Sequence, residues 1–421
     1  MVWMGFGAIL PYLPVFLQEE AHASVSLIGI VAAAYYLGVV SFSGLFGLAS
    51  DRVGRKPLLV LGAFLYSVAT LLFITTTHPG WFVLFRFLEG MGAAAVYPAG
   101  MAFVADISTE STRSRSFGWL TSAQFAGLVV GPALAVPLYA LGGGQGRWAF
   151  YSIFLFGSVL SGLVALALAV ILKEPAHVIN HRRAQRLGRP PLRQLLSGPI
   201  TPFLIVAATA NFAMGAFEVT WSLWLRHLGA PMSFVGATWV AFSLPMLFSF
   251  LGGRLADRHS RFLLMFLGFG VSGVAWITYG LVQWLPFLLI MNVVEGASIA
   301  VAYPAKAAFL VQVSPRPWLG AVQGLESTSG QLAALVGTVI SPLVYERLGG
   351  RILTIAGVIS LLGLAVAAPR LKREWERLVA EKAVLGSATE AAAAAAEPAA
   401  CRGREEALCY PRSGAERGTG Q

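Results

Sequence analysis

Gly47-Leu48-Ala49-Ser50-Asp51-Arg52-Val53-Gly54-Arg55-Lys56-Pro57-Leu58-Leu59 is a short basic turn set between two apolar runs, each long enough to cross a bilayer. A weaker copy, Gly253-Arg254-Leu255-Ala256-Asp257-Arg258-His259-Ser260-Arg261, follows 206 residues later. The same offset carries Glu89-Gly90 onto Glu295-Gly296, Tyr97-Pro98 onto Tyr303-Pro304, Gly118 onto Gly324 and Gly131 onto Gly337. Matched dipeptides at one unbroken spacing mark an internal repeat. The chain is organised as two related halves.

Of its 421 residues, 57% are hydrophobic and 12% charged, and the mean hydropathy is +0.71. A soluble protein of this length cannot bury so much apolar surface, so a bilayer takes the excess. Apolar runs of roughly 18–25 residues recur along the chain. Twelve spans fit: 2–18, 25–49, 57–77, 80–105, 117–141, 148–172, 200–226, 233–255, 262–283, 285–312, 318–345 and 351–369. The expected fold is therefore an all-α membrane protein of 12 transmembrane helices in two pseudo-symmetric six-helix halves. The halves are 1–172 and 200–369, joined by a linker at 173–199 and followed by a tail at 370–421. No cleavable leader is evident, because Met1 opens almost directly into the first apolar run.

The net charge of +10 suggests a nucleic-acid partner only until the charges are placed. With both termini inside, fifteen Lys and Arg fall in the inner loops and only four, Arg147, Arg226, Arg347 and Arg351, in the outer ones. Positive residues stay cytoplasmic, so the excess reports orientation, and no nucleic acid is implied. The partners expected are the lipid bilayer, a small-molecule substrate and protons. In the linker, Arg182-Arg183, Arg186 and Arg189 face anionic headgroups, with Pro190-Pro191 beside them. In the tail, Leu371 to Lys382 reads as a short amphipathic helix and the remainder as disordered.

Two six-helix halves, a basic linker and the Gly47–Leu59 turn resemble the major facilitator superfamily of secondary transporters. Gly47, Asp51, Arg52, Gly54, Arg55 and Lys56 stand where that family's signature loop has them, with Ala49 where Leu is usual. Gly253, Asp257 and Arg258 repeat it, with Ser260 replacing the glycine. The resemblance implies a gate. Asp51 would approach the helix starting near Trp318, and Arg55 would pair with Asp106, while Gly47 would allow close helix packing. The competing reading is that Arg52, Arg55 and Lys56 only set topology.

Span four carries Arg86 and Glu89, three apart and so on one helix face. An intramembrane pair of this kind is a functional candidate, and equally a neutralised structural pair. Span five contains Gly127, Gly131 and Pro132, the first half of a motif associated with proton-coupled antiporters in that family, with Ala135-Val136 where Gly-Gly is usual. Small-residue spacing also promotes ordinary helix packing. By the family fold, spans one, four, seven and ten line a central cavity. That places Tyr12, Glu89, Asn211, Glu218, Asn292 and Glu295 at or near it, with Phe212, Met214, Phe217, Trp221 and Trp224 close by. Asn292, Glu295, Ile299, Tyr303 and Lys306 share one face of span ten.

These features point to a secondary active transporter working by alternating access, with proton-coupled efflux of small lipophilic or cationic compounds preferred. Acidic cavity residues would hold a cation or a proton in alternation. Two alternatives stand beside it. One is a proton symporter or uniporter for a sugar or organic acid, in which Arg86 and Lys306 bind an anionic group. The other is a membrane receptor or scaffold that keeps the fold without transporting. No P-loop, zinc-ligand spacing or nucleophile motif occurs. Cys401 and Cys409 both lie in the tail. No enzyme activity, cofactor or metal is therefore expected. The setting implied is a bacterial inner membrane.

Overall fold

The computed structural model describes residues 2–108, 113–173, 196, 198–314 and 319–401. The side chains of Asp51, Arg52 and Asp257 lie outside the described set, as do Trp318, most of the linker and the tail beyond 401. The first six passes are built from α1 (Val2–Ile9), α2 (Leu13–Glu19), α3 (Val25–Val53), α4 (Arg55–Leu72), α5 (Trp81–Ile107), α6 (Arg113–Leu141) and α7 (Gly146–Ile171). The last six are α8 (Ile200–His227), α9 (Met232–Ser243), α10 (Ser249–Arg258), α11 (Arg261–Leu281), α12 (Leu285–Val313), α13 (Leu319–Leu348) and α14 (Arg351–Cys401). Among the described residues, eleven spans are long and apolar enough to cross a membrane. α1 and α2 in series supply the twelfth pass.

Proline explains the two interrupted passes. Span one reads as a continuous run in sequence, yet it breaks at residues 10–12. Pro11 has no N–H, and Pro14 in the first turn of α2 withholds the N–H that would reach Leu10. In span eight, α9 and α10 are joined by a 3₁₀ turn, Leu244–Phe248, centred on Pro245 and Met246. The end of the chain also differs from expectation. α14 continues through the alanine run to Cys401, as the best helix-forming residue favours. Residues 402–421 lie outside the described residues.

The two copies of the signature turn are closed by different devices. Gly54 takes φ 103°, a conformation that admits glycine, between α3 and α4. Ser260 instead stays extended, and its Oγ caps α11 by accepting the Leu263 N–H at 3.3 Å. A serine thus does by capping what glycine does by backbone freedom.

Packing repeats along with sequence. α3 on α5, α4 on α5 and α1 on α6 in the first half reappear as α9 and α10 on α12, α11 on α12, and α8 on α13. The crossings are fixed by glycines at repeated positions. A Cβ on Gly90 would strike the Tyr35 carbonyl oxygen, and one on Gly296 the Phe242 carbonyl oxygen. Gly131 lies as close to Met4, and Gly337 to Phe212. Gly47 does not pack closely: a Cβ there meets nothing within 4 Å, nor does one on Gly44 or Gly324.

That contrast has a direction. One end of the bundle, here the linker end, carries Gly54, Ser108, Lys173, His259 and Ser314; the other is the distal end. Across the two halves α2 meets α8, α3 meets α13 and α6 meets α9. At the distal end Arg226 Nη2 pairs with Glu19 Oε1 at 2.7 Å, and Ser26 Oγ donates to Glu346 Oε1 at 2.8 Å. A continuous apolar core including Phe16, Phe82, Phe150, Trp221, Tyr279 and Ile352 fills the same end. Among the described residues, polar and apolar contacts join the halves at the distal end.

Gly90→Val inserts a branched side chain where backbone meets backbone, costing about 1–3 kcal/mol by overpacking. Its thermal midpoint in detergent should fall by several degrees, whereas Gly44→Val, placed in open space, should leave it unchanged.

Candidate functional site

Arg86 lies in the second turn of α5, towards the distal end, and is 2% exposed. Its Nη1 donates to Glu89 Oε2 at 2.8 Å, one helical turn away, and its Nη2 to Glu218 Oε1 at 3.2 Å, across on α8. The guanidinium also lies over the Tyr35 ring, 4.7 Å from its centroid. Each carboxylate has a further donor. Thr70 Oγ1 on α4 reaches Glu89 Oε1 at 2.7 Å, and the Tyr36 hydroxyl on α3 donates to Glu218 Oε2. One guanidinium therefore serves two buried carboxylates, one from each half. Desolvated charges persist only when paired in this way.

The internal repeat supplies a second, chemically different version. The offset of 206 takes Arg86 to Asn292, Glu89 to Glu295, Thr70 to Trp276, Phe73 to Tyr279 and Tyr12 to Glu218. Glu295 accepts from Tyr279 OH at 2.7 Å, from Ser272 Oγ at 3.1 Å and from Trp276 Nε1. No cationic side chain pairs with it among the described residues. Asn292 donates to the Leu288 carbonyl at 2.8 Å. Its Oδ1, and the hydroxyl of fully buried Tyr12, have no partner among the described residues. Where one half-site has a cation, the other has neutral polar groups.

The remaining expected residues are placed as follows. Glu218 stands between the halves, but Glu295 turns into its own half towards α11, because that helix offers the donors a buried carboxylate needs. Asn211 is half-buried, donates to the Ala207 carbonyl at 2.7 Å and lies against Gly330. Phe217, Trp221 and Trp224 belong to the apolar core. Phe217 and Trp221 stack at 5.0 Å, and Trp221 and Trp224 donate to Thr238 Oγ1 and the Tyr279 carbonyl, both at 3.0 Å. Gly127, Gly131 and Pro132 pack α6 against α1 and Gly7. In the signature turn, Arg55 bonds Asp106 Oδ2 at 3.2 Å and Ser50 Oγ at 2.8 Å. Lys56 is half-buried and Arg258 exposed, while a Cβ on Gly253 would touch only Pro304 at 4.0 Å.

Sequence reasoning missed Tyr36, Thr70 and Glu326, whose Oε1 accepts from Lys306 Nζ at 2.7 Å. The first two are neutral residues joined to the site only by tertiary contact, and no pattern marks them. Glu326 was detectable as an acidic residue inside an apolar span.

A family model described as "Major Facilitator Superfamily" matches residues 1–248 and 203–397. The chain belongs to the major facilitator superfamily. It is a multi-pass membrane transporter. It is 25% identical over 380 residues to "Multidrug resistance protein 2" of Bacillus subtilis (strain 168), covering 87% of this chain and 91% of that one. It is 26% identical over 226 residues to "Quinolone resistance protein NorA" of Staphylococcus aureus, covering 53% and 55%. A solved "D-xylose-proton symporter" shares the fold, with TM-score 0.71 at 15% identity over 87% of this chain and 94% of that one.

Charge balance at Arg86 is open to test. Arg86→Gln strands two buried carboxylates and should destabilise the protein by about 3–5 kcal/mol, read as a lower thermal midpoint. Adding Glu89→Gln and Glu218→Gln should restore much of that loss. A triple variant as unstable as Arg86→Gln would remove the charge-balance account.

Proposed function

We propose that this transporter exports small lipophilic cations in exchange for protons across a bacterial plasma membrane, with both termini and the linker cytoplasmic. The observation that carries this reading is the two-to-one ratio of carboxylate to guanidinium where the halves meet. With all three groups ionised, one excess negative charge is held away from water, which a proton or a cationic substrate relieves. One carboxylate cannot hold both at once, so the two exchange. Glu218 is also the point at which Arg86 and Tyr36 of the first half hold the second. A proton on Glu218 weakens its tie to Arg86 and favours rocking of one half against the other.

The charge asymmetry of the loops supports this orientation, in which the linker end faces the cytosol and receives the substrate. Multidrug and quinolone resistance in the relatives' names supports efflux. For an anionic metabolite the obvious binding groups are Arg86 and Lys306. Both are already held by carboxylates, which favours the cation reading over symport of an organic acid. The Gly47–Lys56 turn, with Asp51, Arg52 and the second copy at Gly253, Asp257 and Arg258, then serves as a gate that stabilises one alternating state.

Glutamine keeps the size of glutamate and removes its titration. Glu218→Gln should abolish ethidium accumulation driven by an imposed proton gradient in proteoliposomes while ethidium binding persists. If Glu89→Gln, Glu218→Gln and Glu295→Gln, singly and together, leave gradient-driven transport intact, coupling through these carboxylates is wrong. Symport would show the opposite response to the sign of the gradient.

Orientation has its own test. Single cysteines at Gln185 and Gly80, in a chain lacking Cys401 and Cys409, should react with an impermeant thiol reagent from opposite sides of the membrane. Labelling of both in intact cells would overturn the topology.

A further inference from the structure

The first half of α13 carries Gln323, Glu326, Ser327, Thr328, Ser329 and Gln331 inside an otherwise apolar helix. Gln323, Ser327 and Thr328 are exposed. Lipid is a poor solvent for such a face, which lies towards the linker end of α13. There Lys306 Nζ of α12 donates to Glu326 Oε1 at 2.7 Å and sits 5.3 Å from the centroid of the Tyr303 ring. The pair is reachable, with 19% of the lysine and 18% of the glutamate side chain exposed. Tyr303 is 41% exposed and its first-half counterpart Tyr97 49%. Tyr97 stands near enough to interact electrostatically with both charges. The repeat does not require this pair, since the equivalent positions are Gly100 and Leu120.

A carboxylate whose paired cation lies over a tyrosine ring is the chemistry that recognises an organic ammonium or phosphonium ion. Lys306 supplies such a cation from within the chain. We infer that Glu326, Tyr303 and Tyr97 form an entry subsite for organic cations, in which the Lys306 ammonium is a tethered stand-in that the incoming substrate displaces. Exchange leaves no charge stranded. Glu326 keeps a cationic partner throughout, and the displaced ammonium swings into the opening on its flexible four-carbon stem. A neutral molecule offers Glu326 nothing in return and leaves the pair closed, so the subsite selects by charge.

The inference rests on the cation reading above, but equilibrium binding needs no gradient and so tests it separately from proton coupling. Tetraphenylphosphonium and a neutral lipophile of similar size are bound to the full-length protein in lipid nanodiscs. Removing the internal competitor by Lys306→Met should tighten tetraphenylphosphonium binding about tenfold, and Glu326→Gln should weaken it about tenfold, as loss of an ion pair with a cation–π contact predicts. The neutral probe should change little in either, and the double variant should match Glu326→Gln. On the unaltered chain, acetylation of Lys306 followed by mass spectrometry should rise several-fold with tetraphenylphosphonium and not with the neutral probe, a readout that survives if a variant fails to fold. Unchanged Lys306 acetylation overturns the inference, as does an equal change for both probes in the variants. Charge-selective binding with no proton-driven transport would instead retire the exchange mechanism and keep the subsite.

Discussion

A single buried guanidinium divided between two carboxylates is the constraint around which the centre of this protein is arranged. Arg86 cannot leave Glu89 or Glu218 without stranding charge in a low-dielectric interior, and Glu218 belongs to the opposite half. The halves are consequently tied in the distal part of the bundle by the same groups that exchange ions in the proposed cycle. Tyr36 and Thr70 complete the arrangement by giving each carboxylate a neutral donor. Tying and ion exchange use the same atoms, so a change in occupancy reaches the interface directly.

Distal closure is built from other materials. Glu346 at the end of α13 accepts both the backbone N–H and the hydroxyl of Ser26 in the first turn of α3. A carboxylate from one half thereby sits at a helix N-terminus of the other, where the dipole favours it. Arg226 and Glu19 add an ion pair alongside, over an apolar core that spans both halves. Such contacts hold one state, and each can be broken without exposing a deeply buried charge.

Duplication produced a scaffold with matching crossings and unmatched chemistry. Gly90 and Gly296, like Gly131 and Gly337, keep the same backbone approaches in both halves. At the same offset Arg86 corresponds to Asn292, Glu218 to Tyr12, and Lys306 to Gly100. A symmetric pair of sites would bind the same group twice. Divergence at these positions leaves a charged centre beside a neutral polar one, with a separate Lys306–Glu326 ion pair.

The two halves, the twelve spans and the family were legible in sequence, because hydrophobic length, an unbroken offset and a dense motif are properties of the chain read locally or against itself. The pairing of Arg86 with Glu89 was legible for the same reason, being one helical turn apart. Glu218 as Arg86's second partner, Tyr36 and Thr70 as donors, and the turn of Glu295 into its own half were decided by tertiary structure alone. Each joins residues between 16 and 182 positions apart in sequence, and no periodicity encodes which helix face meets which neighbour. Aromatics on α8 show the same limit: composition marks them as apolar and adaptable, and only packing against α9 and α11 makes them core. The sequence determined what crosses the membrane and how often; tertiary structure decided which buried charges meet, because that depends on helix rotation within the bundle.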